Sequence, residues 1–330
     1  MKKLKFIAPV IILLLATLIA AGCSSGSKDK KGEAQYPTKP VNYVIAFDAG
    51  GQSDIEARRQ QPLLEKSLGQ PITVVYKPGG GGAVAWAELV NQKNDGYYMA
   101  GFNIPHIILQ PLERKDAGYK TEQINPVAIF QKTIIGLAVP KDSPYNTLEE
   151  FIKAAKEKPG SITVGGSGTN TGPHLFTLLL EKEAGIKLQY VPFTGAAPAT
   201  QALLGGHTKA MAGNSDDLVK HTDKIKILGM ASDQRFKALP DITTFKEKGL
   251  NISVSVDRGV AVPPGTDPAI VKKLEDAFMK ISNDEGIKAQ MLKEGFEPVA
   301  MGSAESKKYI EDKAKVFTEL FKSVAPPAKK

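Results

Sequence analysis

The sequence predicts an α/β protein built from parallel sheets covered by helices on both faces. Short β-rich runs alternate with helix-like stretches from Pro40 onward, helix-start signals stand between them, and glycine-rich loops recur where the runs end. Strands are expected at 41–47, 72–76, 97–102, 128–130, 136–139, 162–165, 188–193, 209–212 and 225–231. Ser53-Asp54-Ile55-Glu56 has the capping-box pattern, in which a hydroxyl accepts from an amide three residues on and an acid reaches back, so a helix is expected to open there. Thr147-Leu148-Glu149-Glu150 repeats it. Pro173, Pro198 and Pro268 suit first helical turns, where a missing N–H leaves no bond unmade.

Phe47-Asp48-Ala49-Gly50-Gly51-Gln52-Ser53 follows the first strand and Pro78-Gly79-Gly80-Gly81-Gly82 the second. Gly165-Gly166-Ser167-Gly168-Thr169-Asn170 follows a middle strand, and Phe193-Thr194-Gly195-Ala196 another. In parallel α/β sheets ligands sit at the carboxyl ends of strands. Loops without bulk that open helices let backbone N–H groups approach a ligand, which makes an anion the expected one. A carboxylate fits better than a phosphate, because Asp54 and Glu56 already occupy part of the first helix dipole. Any one of these loops reads as a tight turn with a cap; four together point to binding. Asn214, Ser215 and Asp216 follow the 209–212 strand and are further readers of a ligand's distal end, with helix capping the plainer role.

Cys23, the only cysteine, follows Ala20-Ala21-Gly22 at the end of an apolar run, 6–21, that starts after Lys2, Lys3 and Lys5. This is the pattern of a secretory leader, and it resembles a bacterial lipoprotein signal, with Ala20 standing where a larger aliphatic is usual. Residues 1–22 are therefore expected to be a signal peptide, Cys23 the lipidated first mature residue, and 24–35 a flexible polar tether. A transmembrane helix is the alternative for so apolar a run, and the small residues before Cys23 favour the leader. With Cys23 used as anchor, the mature chain has no disulfide, no cysteine zinc ligand and no thiol nucleophile. The formal charge of +8 falls to +5 without the leader's three lysines, and to +2 once the tether and Lys329-Lys330 are set aside. That argues against a nucleic-acid surface. His106, His174, His207 and His221 are scattered with no pair at i, i+4, so no metal and no cofactor is expected.

Several segments resemble, in order along almost all of the mature chain, the extracytoplasmic solute receptors of tripartite tricarboxylate transporters. They are Tyr36-Pro37-Thr38-Lys39-Pro40-Val41, the 47–54 loop, Leu68-Gly69-Gln70-Pro71, Lys77-Pro78-Gly79-Gly80-Gly81-Gly82 and Asp95-Gly96-Tyr97, then 191–199 with Leu203-Leu204-Gly205-Gly206, 235–241, and Arg258-Gly259-Val260-Ala261-Val262-Pro263-Pro264-Gly265-Thr266. The resemblance implies a two-lobed, type II periplasmic-binding-protein fold, each lobe a mainly parallel sheet flanked by helices, with the ligand cleft between lobes. It implies ligand contacts from Ala49, Gly50, Gly51, Ser53 and Asp54 with Gly81 and Gly82 on one side. On the other it implies Ser167, Thr169, Asn170, Thr194, Gly195 and Ala196. Lobe one is expected from 36–130 plus 257–330 and lobe two from 131–256, with crossings near 131–136 and 253–258 as the hinge. Asp48 departs from the small residue expected after Phe47 and would repel a ligand carboxylate unless it points away.

The expected function is a membrane-anchored extracytoplasmic receptor, a monomer that closes two lobes on a di- or tricarboxylate and delivers it to the transporter's membrane subunits. An acidic amino acid or an aromatic carboxylate is the alternative ligand, and sensing the alternative role. A surface hydrolase using Ser167 with His174 is the lesser reading: Gly165-Gly166-Ser167-Gly168-Thr169 lacks the fifth-position glycine of a nucleophile elbow, and no glycine loop continues into a Walker sequence. Ser53 faces competing duties as cap and ligand donor. Trp86 is expected in the core rather than the cleft. Arg258, at the second crossing, either grips a ligand carboxylate bidentately or steadies the hinge through a salt bridge.

Overall fold

The computed structural model describes residues 36–324; the expectations for the leader, Cys23 and the tether lie outside them. The first part of the chain contributes β1 (Val41–Ile45), α1 (Gln52–Leu68), β2 (Ile72–Tyr76), α2 (Ala83–Asn91), β3 (Tyr98–Ile104) and α3 (His106–Glu113). Next come β4 (Asn125–Pro140), α4 (Leu148–Glu157), β5 (Thr163–Gly166), α5 (Gly172–Ala184), β6 (Gln189–Pro192), α6 (Ala196–Leu204), β7 (Ala210–Asn214), α7 (Ser215–Lys220) and β8 (Ile225–Met230). The chain then returns through β9 (Ser255–Val262), α8 (Pro268–Ser282), α9 (Glu285–Lys293), β10 (Glu297–Met301) and α10 (Ser303–Val324).

The strand order is β2-β1-β3-β9-β4-β7-β5-β6, with β8 and β10 also on β4. The expected parallel sheets are the outer trios β2-β1-β3 and β7-β5-β6. Between them the returning strands run antiparallel: β9 pairs with both β3 and β4, and β4 with β7, β8 and β10. One strand thus serves two half-sheets. The first half of β4 pairs with β10 and with most of β9, and its second half with β7 and β8. The sequence pattern expects two strands, 128–130 and 136–139, with a crossing loop between. Instead Gln131, Lys132 and Thr133 stay in the ladder because Arg258, Asp257 and Val256 pair with them. Register shifts on either side bend β4 without breaking it. The pattern also passes over β10, whose residues are all half-buried and lack a clear apolar face.

Four of the five helix starts form as read, with Pro173 and Pro198 in the first turns of α5 and α6. Thr147 Oγ1 accepts from the Glu150 amide at 3.2 Å while Glu150 accepts from the Thr147 amide at 3.3 Å, and Asp267 caps α8 ahead of Pro268. The Ser53 box does not form. α1 already starts at Gln52, with Gly51 in the extended N-cap conformation (φ −88°, ψ 176°) and no side-chain cap, so Ser53 is a helical residue. Glu56 turns to Arg59 and Gln60 instead of reaching back.

Trp86 belongs to the core. It is fully buried, its Nε1 donates to the Gly101 carbonyl at 2.9 Å, and its ring meets Phe47 and Tyr119 edge-on. Gly82 is explained by this packing: a Cβ there would stand 2.3 Å from the indole, at φ +102°. Beside β4 Phe130 stacks on Phe278 at 5.8 Å, while Ile134, Leu203 and Phe236 belong to a separate cluster under the second half-sheet.

Candidate functional site

The loops at the carboxyl ends of the two parallel trios meet face to face. Thr194 Oγ1 donates to the Asp48 carboxylate, Gln52 Nε2 donates to Asp217, and Gln110 Nε2 donates to the Thr169 carbonyl at 2.6 Å. Gly51 faces Ala196, and Gly81 approaches the Thr169 carbonyl so closely that a Cβ would stand 2.7 Å from it. Asp48 therefore points at a hydroxyl across the cleft, which resolves the conflict an acid in this loop would create.

Enclosed between these loops is a cavity of about 10 Å³, the room of a single water. Gly51, Ser53, Ser167 and Ala196 line it, together with Phe47, Gln52, Asn103, His106 and Arg258. Two helix starts contribute, α1 through Gly51, Gln52 and Ser53 and α6 through Ala196. Their unpaired first amides give the site a positive character without a side-chain charge. A second small cavity shares Ser53, Asn103 and Arg258 and reaches Glu56.

Arg258 is buried on β9, where that strand pairs with β4. Its Nη1 donates to Thr133 Oγ1 at 2.7 Å and its Nη2 to Gln52 Oε1 at 3.3 Å, while Nε has no partner. Among the described residues it makes no direct ion pair, so the salt-bridge reading is replaced by a hydrogen-bonded guanidinium bordering the cavity. Burial pulls its pKa down, and the fields of Asp216, Asp217, Asp257 and Glu56 oppose that. The same burial pushes Glu56 up to about 7 and Asp217 up to about 6. Asp216 is also raised, by burial first and by Asp217 second, and its Oδ1 is unpartnered. His106 is held neutral by burial and by Arg258.

Other expected site residues stand outside the cavity. Asp54 accepts from the Gly50 amide at 2.8 Å and from the Tyr76 hydroxyl at 2.6 Å, so it braces the first loop and occupies the Gly50 N–H. Ala49 and Gly50 are exposed at the rim, as is Thr169. Asn214 Oδ1 accepts from Thr133 at 3.1 Å, and Asn170 sits in the left-handed region (φ 55°) with its amide donating to His174 Nδ1 at 3.1 Å. His174 also packs on Tyr190 at 4.7 Å, and burial lowers its pKa to about 4. Among the described residues no hydrogen bond joins it to Ser167. Gln52, Asn103 and His106 were not among the expected site residues; the run Asn103-Ile104-Pro105-His106 at a strand end was the available signal.

The model of the tripartite tricarboxylate transporter family receptor matches residues 56–325. The chain belongs to this family. It is 32% identical over 293 residues to the UPF0065 protein in the gbd 5′ region of Cupriavidus necator, covering 87% of this chain and 89% of that one. The periplasmic binding protein BugD superposes with a TM-score of 0.83 at 25% identity, covering 88% of this chain and 98% of that one. MatC from Rhodopseudomonas palustris, with bound malate, gives 0.82 at 24% identity over 86% of this chain and 99% of that one. The receptor thus has the two-lobed periplasmic-binding-protein fold and is an extracytoplasmic solute-binding protein, not an enzyme. The family's members are receptors of tripartite tricarboxylate transporters. Among the described residues no helix is long and apolar enough to cross a membrane, and no cluster of His, Cys, Asp or Glu could hold a metal.

Proposed function

We propose that the receptor captures a small di- or tricarboxylate between its lobes and delivers it to the membrane subunits of a tripartite transporter, held at the membrane by lipid on Cys23. The observation that carries this is the buried Arg258 guanidinium, with a free Nε, beside a cavity lined by helix-start residues from both half-sheets. A carboxylate there gains charge-assisted bonds from Arg258 and from the α1 and α6 amides at once. Gly51, Ser53, Ser167, Gly195 and Ala196 are the nearest ligand contacts in this reading; Ala49, Gly50, Asp54, Gly81, Gly82, Thr169, Asn170, Thr194 and Asn214 shape the loops. Lobe one is 36–130 plus 257–330 and lobe two 131–256, with β4 and β9 as the hinge. Because the enclosed space holds about one water, the ligand enters an opened form and closure follows.

Asp216, with an unpaired buried oxygen near Arg258, favours one second reading, an acidic amino acid whose ammonium it would meet. A thermal-shift screen of citrate, malate, succinate, glutamate and benzoate separates the two. A ligand at a hundred times its Kd stabilises by about 2.7 kcal/mol. A shift with glutamate alone selects the second reading, and no shift with any of the five sinks both. Cys23→Ser should leave that shift intact while releasing the protein from the membrane fraction.

A further inference from the structure

A groove of about 710 Å³ lies on the far side of the hinge strands. Successive side chains of a strand point to opposite faces. Thr133 of β4 and Arg258 of β9 bond each other on the cleft face, while Lys132, Ile134 and Ser255 line the groove. One wall is the face of α10 that carries Lys313, Val316, Phe317 and Leu320, with Leu292 of α9 beside it; the other is the 231–237 loop.

Four large hydrophobic side chains are exposed among the described residues, and two of them, Leu292 at 42% and Val316 at 59%, stand in this groove. Exposed apolar groups gathered in a concavity of this volume suit a small molecule. Charge selects its kind. Lys132 is paired with Glu297, Arg235 with Glu247 and Asp233 with Lys246. Lys313 lies over the rings of Tyr309 and Phe317, and neither it nor Lys237 has a carboxylate partner among the described residues. The segments 24–35 and 325–330 carry net positive side-chain charge themselves, so they do not complement this rim.

We propose that the groove is a second ligand site, separate from the cleft, for an amphipathic carboxylate with a medium-length apolar tail. The carboxylate meets Lys313 and Lys237, and the tail covers Leu292, Val316 and Phe317. Its walls come from both half-sheets, so occupancy and lobe arrangement are reciprocally linked.

The test is calorimetric titration of the protein with octanoate, with acetate and octylammonium as controls, followed by intermolecular NOEs from the octanoate methyl. Octanoate should bind while both controls do not, with NOEs to Val316 and Leu292. Lys313→Glu with Val316→Glu, both at accessible positions, should weaken binding at least tenfold, and Lys313→Arg should retain it. NOEs to Phe47 or Ala196 in the cleft, undiminished binding in the double variant, or no binding at millimolar octanoate would each overturn the proposal.

Discussion

Glu56 of α1 is wholly buried beneath the cleft, held by Arg59 and by Gln60 Nε2 at 2.9 Å. Burial raises its pKa from 4.5 to about 7, and Arg59 and Gln60 pull the other way without winning. The unfolded chain returns the carboxyl to its ordinary value. Between those two pKa values the folded protein holds a proton that the unfolded chain has released, so stability from this group is greatest at low pH and falls as pH rises toward 7. At 1.36 kcal/mol per pH unit, ionised Glu56 costs the fold about 3 kcal/mol above pH 7. Glu56→Gln keeps the shape and removes the titration. Urea unfolding of wild type and variant at pH 5 and pH 8 reads the effect as a difference. The variant's stability relative to wild type should improve by about 2 kcal/mol from the lower pH to the higher. The difference is needed because Asp217, raised to about 6, loses stability with rising pH as well, while His106 and His174, buried neutral, lose it with falling pH. Those contributions cancel between the two proteins. A gap that does not change with pH would refute Glu56 as a buried titrating group.

Gly81→Val should lower the ligand-free stability by more than the left-handed backbone penalty of about 1–2 kcal/mol, because the new side chain also meets Gln110, and should weaken ligand binding more than tenfold. Its Cβ would stand 2.2 Å from Gln110 Nε2 on α3 and 2.7 Å from the Thr169 carbonyl across the cleft; calorimetry beside thermal melts checks it, and unchanged affinity would contradict it. Asp48→Ala removes the bond to Thr194 across the cleft, worth about 1 kcal/mol at this half-exposed position, so the closed-to-open ratio should drop roughly fivefold. Small-angle scattering of the ligand-free protein should then show a larger radius of gyration. Thr147→Ala should cost about 1 kcal/mol in urea unfolding through the lost cap and leave ligand affinity unchanged, since α4 does not reach the cleft cavity.

The glycine loops were legible because close approach demands residues without a Cβ, and Gly51, Gly81 and Gly195 do lie where the half-sheets meet. The Thr147 box was legible because it is local. Ser53 misled because a capping pattern says nothing about a glycine two positions earlier that can end the turn first. Gln52 was invisible for a different reason: its partners Asp217 and Arg258 lie 165 and 206 residues away, and only the fold brings them together. The polar run at 131–133 read as a loop because nothing local reveals that β9 returns to pair with it.

That return sets an order of assembly. β9 lies between β3 and β4, so the first half-sheet has no centre until the chain past Ser255 has been made. The other trio and β8 are complete by Met230 and can be built on the second half of β4 while β3 still presents an open apolar edge. A nascent chain stopped before Ser255 would therefore hold one finished half and one waiting half. The residue that borders the proposed ligand cavity, Arg258, arrives with the strand that closes the gap. The proposed binding site and the last seam of the sheet are completed in the same step.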